Sequence, residues 1–88
     1  MKPKSNLQLR KIGQQYLIVE ASAERVNMSN VYTLNETAAG IWQQLVAGRT
    51  AVADLAAWLC SVYDVTPEQA QADVQRQLDE WQSCGLIE

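Results

Sequence analysis

The chain contains no histidine and only two cysteines. Without histidine, neither a Ser-His nor a Cys-His dyad can be assembled. Cys60 and Cys84 lie far apart and in no CxxC spacing, so the clustered ligands of a zinc site are missing too. There is no GxSxG elbow, no phosphate-binding GxxxxGK[ST] loop and no GxGxxG turn. The carboxylates Asp79 and Glu80 are adjacent. On a helix they point in different directions, so they read as a solvated face and not as an acid–base pair. No catalytic residue, metal or cofactor is expected.

Long apolar runs are also absent. Tyr16-Leu17-Ile18-Val19 is far too short to cross a bilayer, and no apolar stretch follows the basic start Met1-Lys2-Pro3-Lys4. The expected setting is the cytoplasm, with no membrane partner and no disulfide. Repeats and low-complexity segments are lacking. At 88 residues the chain is expected to form one domain over 1–88. A domain this small buries about 60–65% of its unfolded surface and has no room for a deep catalytic cavity.

Charge is modest, net −3, but unevenly spread. Residues 1–25 carry five cations against two carboxylates, whereas residues 26–88 carry two cations against eight carboxylates. The acidic part also carries the helical pattern, and an acidic surface repels a phosphate backbone.

The apolar pattern changes near residue 34. Before it, period two dominates: Leu7 and Leu9 alternate with Gln8 and Arg10, Gly13-Gln14-Gln15 supplies a turn, and Tyr16 to Val19 resumes. After the polar stretch Glu20 to Arg25, a third extended run covers Val26, Met28 and Val31 to Leu34, with a kink or turn expected at Ser29-Asn30. Three antiparallel strands are expected within about 7–34.

Beyond residue 34 the helical period takes over. Asn35 is the N-cap of a first helix, about 36–47, which buries Ala38, Ile41, Trp42 and Leu45 and ends at Gly48. Thr50 is expected to cap a second helix, about 51–63, with Val52, Leu55, Leu59 and Val62 as its buried stripe. Thr66-Pro67-Glu68-Gln69 spells a capping box for a third, about 67–84, which buries Ala70, Val74, Leu78 and Trp81. Gly85 ends it, and Leu86-Ile87 can fold back on the core. Cys60 reads as a small core residue and the three tryptophans as core or core-edge. The expected fold is α+β: a three-stranded antiparallel sheet followed by three helices, like a winged helix-turn-helix with its sheet placed first.

A helix-turn-helix raises a DNA-binding regulator as one reading. Its third helix offers only Arg76 as a cation, against Glu68, Asp73, Asp79 and Glu80, too little for phosphate contacts. The other ready-made site is a sheet edge, to which an extended peptide can add as a further strand. An open edge also invites pairing with a second copy, so a homodimer is open on this reading.

Leu34-Asn35-Glu36-Thr37-Ala38-Ala39 closely resembles the corresponding stretch of the PqqD family. So do Ile41-Trp42, Gly48-Arg49-Thr50, Val65-Thr66-Pro67-Glu68, Ala72-Asp73-Val74 and Gly85-Leu86-Ile87. The resemblance spans nearly the whole chain and is strongest from Val31 to Ile87. It implies a peptide chaperone, not an enzyme. Such a protein binds the leader of a ribosomally made precursor peptide and presents it to a tailoring enzyme, such as a radical SAM protein or a leader peptidase, in peptide-modifying or PQQ-type biosynthesis. It further implies that the leader adds to the third strand under the third helix. Carried onto this chain, the contacting positions are Met28, Asn30, Val31, Tyr32 and Thr33 on the strand, and Asp73, Arg76, Gln77 and Glu80 on the helix. Many relatives look apolar at Gln77, so its amide implies a different leader pocket. Arg76 is the position suited to pair with an acidic leader residue.

Overall fold

The computed structural model describes residues 2–4, 7–21 and 26–87, with side chains for those outside 20–31. The element order is β1 (Leu7–Ile12), β2 (Gln15–Ala21), β3 (Val26–Leu34), α1 (Glu36–Val46), α2 (Val52–Val62) and α3 (Pro67–Ser83). The strands form one antiparallel sheet in the order β1-β2-β3, so the α+β architecture is as the pattern anticipates. β1 and β2 meet in a two-residue hairpin, with Ile12 opposite Gln15. Gly13 takes φ 64°, while Gln14 keeps a negative φ. Glycine first and a negative φ second is the turn whose twist matches the flanking strands.

The sheet presents Leu7, Leu9, Tyr16, Ile18, Tyr32 and Leu34 to the helices. Onto that face pack Ala38, Ile41, Trp42 and Leu45 of α1, Leu55 and Leu59 of α2, and Ala70, Val74, Leu78 and Trp81 of α3. Trp42 and Trp81 meet edge to face, 5.2 Å between centroids, at the middle of this core. No buried side-chain polar atom lacks a partner among the described residues.

Helix ends follow the expected punctuation with two exceptions. Asn35 Oδ1 accepts from the Ala38 amide at 2.8 Å, and Thr66 Oγ1 from the Gln69 amide at 3.2 Å. The reciprocal half of the expected capping box is not formed; the Gln69 side chain runs along the helix, its Nε2 donating to Asp73 Oδ1 at 2.8 Å. Thr50 does not cap α2. The N-cap is Ala51, with no side-chain hydrogen bond, so the helix starts one residue later on backbone conformation alone. Nor is Val62 buried: it is 55% exposed, while Ala56 takes the buried position. Along α2 the buried side chains are Leu55, Ala56 and Leu59, and Val62 turns to solvent.

The third strand carries the irregularity expected near Ser29-Asn30. Ile18 faces Tyr32 but Glu20 faces Asn27, so two steps along β2 correspond to five along β3. The surplus residues disrupt the ladder locally and increase strand bending. At the far end, Gly85 adopts φ 77°, its amide donates to Gln82 O at 3.1 Å, and the Leu86 amide donates to Trp81 O at 2.9 Å. This Schellman closure turns Leu86 and Ile87 into the core, both 4% exposed. The N-terminal segment then lies along that turn: Pro3 bridges Ile87 and the Lys4 amide donates to Leu86 O at 3.1 Å.

Gly40 on α1 faces the ring of Trp58 on α2 so closely that any Cβ there would collide with the indole. Gly40→Ala is therefore expected to destabilise the chain by about 1–3 kcal/mol despite alanine's better helix propensity. Chemical denaturation reads the change directly.

Candidate strand-accepting groove

β3 is an edge strand: β2 covers one side, and no other strand pairs with it among the described residues. Beside this edge runs α3, which leans on α2 and leaves a gap toward the sheet. The result is a groove of about 270 Å³. Its strand side is Tyr32, Thr33 and Leu34, and its corner is Asn35 and Ala38 at the start of α1. Its helical wall is Gln77, Glu80, Trp81 and Cys84, with Leu86 at the end. The wall residues fall at i, i+3, i+4 and i+7, one face of α3. Trp81 is 2% exposed, its body in the core and its edge on the groove floor.

Glu80 is the one charged side chain lining the groove, and it has no ion-pair partner among the described residues. An edge strand offers a row of unpaired N–H and C=O groups, and a trough of mixed polar and apolar lining beside it can take alternate side chains of an added strand. Chemically this arrangement is suited to accept the backbone of a further strand. No group of three or more His, Cys, Asp or Glu residues able to hold a metal occurs among the described residues. Both cysteines are free.

Of the residues singled out from the sequence, Tyr32, Thr33, Gln77 and Glu80 come together in this groove. Met28, Asn30 and Val31 lie on β3, and their side chains fall outside the described set. Asp73 and Arg76 do not line it. Arg76 is 77% exposed and donates to Asp73 at 3.0 Å, so the cation suited to an acidic ligand already has a carboxylate partner on its own helix. Sequence reasoning missed Leu34, Asn35, Ala38, Trp81, Cys84 and Leu86. Their apolar or capping character pointed to core and helix ends; the corner where β3 turns into α1 brings Leu34, Asn35 and Ala38 to the groove, and the end of α3 brings Trp81, Cys84 and Leu86. No helix among the described residues is long and apolar enough to cross a membrane.

A three-stranded sheet with three helices, one strand edge left open beside the third helix, defines a small winged-helix-like module. The chain belongs to the PqqD family: the model for coenzyme PQQ synthesis protein D (PqqD) matches residues 12–87. Two solved structures share the fold. One, TbiB1 in complex with the TbiA(beta) leader peptide, superposes with TM-score 0.80 at 17% identity, covering 100% of this chain and 95% of that one. The other, a lasso peptide synthetase B1 complexed with the leader peptide, gives TM-score 0.77 at 22% identity, covering 99% and 95%. A comparison with curated protein sequences found no match.

Proposed function

We propose that this chain is a non-catalytic peptide chaperone of the cytoplasm. It binds the leader of a ribosomally made precursor peptide and presents it to a tailoring enzyme, with residues 1–88 acting as one recognition unit. The observation that carries this reading is the open β3 edge facing the α3 wall. Support comes from the fold shared with two proteins whose structures are described as leader complexes. The leader adds antiparallel or parallel to β3, taking backbone hydrogen bonds from the stretch Met28 to Thr33. Its side chains alternate between solvent and the trough over Leu34, Ala38 and Trp81. Gln77 and Glu80 select the leader by hydrogen bonding and charge. Asp73 and Arg76 form the next turn of the same wall for a leader that runs further. Without leader, the same edge can pair with a second copy, so a dimer formed there competes with the peptide.

The DNA-binding reading has little to recommend it. α3 exposes Glu68, Asp79 and Glu80 and offers only Arg76, itself paired, as a cation.

Thiol alkylation tests the proposal. Cys84 is exposed and lines the groove, whereas Cys60 sits half-buried on α2. A cognate leader at ten times its Kd is expected to slow Cys84 alkylation about tenfold and leave Cys60 unchanged, since only the unoccupied fraction reacts. Unaltered Cys84 with the leader bound contradicts the placement.

A further inference from the structure

The opposite edge of the sheet has a groove of its own. β1 pairs only with β2 among the described residues, so its outer backbone is also free. Between it and α1 lies a hollow of about 510 Å³, larger than the 270 Å³ beside β3. Leu7, Leu9, Trp42 and Val46 supply its apolar surface, and Val46 is 66% exposed. Its charge has the other sign. Arg10 lines it, no carboxylate does, and Lys11 and the exposed Ile12 continue the same strand. Arg10 donates to Gln8 Oε1 at 3.0 Å and has no carboxylate partner among the described residues.

We propose that this β1–α1 groove is a second strand-accepting site, taking an extended segment of the tailoring enzyme in which carboxylates alternate with apolar residues. This rests on the adaptor reading, because a chaperone must hold peptide and enzyme at once. The two grooves lie on opposite edges of the sheet with β2 between them, so both can be filled together. Their floors are Trp42 and Trp81, the two rings in edge-to-face contact. Charge identifies the occupant. A second copy adding through its own β1 would set Arg10 and Lys11 against their counterparts, and like charges facing across strands are destabilising. An acidic strand turns those cations into attraction, whereas the groove carrying Glu80 disfavours it.

Two capped synthetic peptides test this, one alternating valine with glutamate and the other valine with lysine, each titrated into the isotopically labelled full chain at low salt. The glutamate peptide is expected to shift the amides of Leu7 to Arg10 and the Trp42 indole, and to bind about fivefold more tightly than the lysine peptide. Arg10→Glu, at an exposed position, is expected to reverse that preference while circular dichroism stays unchanged. Absent shifts along β1, shifts confined to Tyr32–Leu34, or an unchanged preference in the variant overturns the proposal. Leader binding, read separately at the Thr33 amide, keeps the two claims apart. Its loss with an intact β1 response overturns the adaptor reading alone, and the reverse overturns this site alone.

Discussion

Trp81→Ala is expected to remove most of the chain's stability. Trp81 is 2% exposed and packs edge to face on Trp42 at 5.2 Å. Truncating a buried tryptophan costs about 3–5 kcal/mol through lost burial and the cavity left behind. A domain of this size has about 5–15 kcal/mol in total, and small domains sit at the low end. The core has little else to redistribute, since the sheet is only three strands deep and every helix is anchored through the same cluster. Urea unfolding should show a midpoint near zero denaturant or no cooperative transition. Trp81→Phe, which keeps a ring in place, should lose much less. A loss below about 1 kcal/mol for the alanine variant would mean that the ring is not the keystone its burial indicates.

The second large effect concerns the leader. In an added strand, successive residues direct their backbone groups alternately toward β3 and toward solvent. N-methylating the leader one position at a time should therefore weaken binding with period two. Each methyl that replaces an N–H donating to β3 is expected to cost about 1–3 kcal/mol, or about five- to 150-fold in Kd, because it leaves a carbonyl of β3 unsatisfied and intrudes sterically. The intervening positions should tolerate methylation. Isothermal titration with the unmodified chain reads the series, and the protein itself is never altered. A helical leader lying in the trough would give a period near 3.6 instead, and that outcome is incompatible with strand addition.

Much of the fold was legible because several local signals agree. Asn35 and Thr66 make their capping bonds, Gly48 and Gly85 take the positive φ that ends each helix, and the stripes of α1 and α3 are the ones actually buried. The misreadings occur where tertiary packing decides. Val62 continues the α2 period but turns to solvent while Cys60 and Tyr63 on either side pack against the core, and Thr50 is a good capping type set one residue too early. Pro3 gave no local sign that it would bridge Ile87, since long-range pairing of two chain ends has no periodicity to betray it.

The candidate site was legible only on its edges. Tyr32 and Thr33 follow from strand order, and Gln77 and Glu80 from the helical face next to the buried stripe. Arg76 looked available as a free cation in the sequence, but three residues along a helix is also the spacing at which it reaches Asp73. The β1–α1 groove was not legible at all. It joins Leu7 to Arg10 of β1 with Trp42, Gln43 and Val46 of α1, a tertiary juxtaposition that no pattern along the chain spells out.

The most direct measurement is amide hydrogen exchange across Tyr32, Thr33 and Leu34, free and with cognate leader at saturation. A strand that docks on β3 must capture the amides that face away from β2. Those amides are predicted to exchange readily in the free chain and to slow sharply once the leader binds, while their neighbours bonded to β2 change little. Leader bound at saturation with the outward β3 amides still exchanging freely, and protection appearing on α2 instead, would contradict the account.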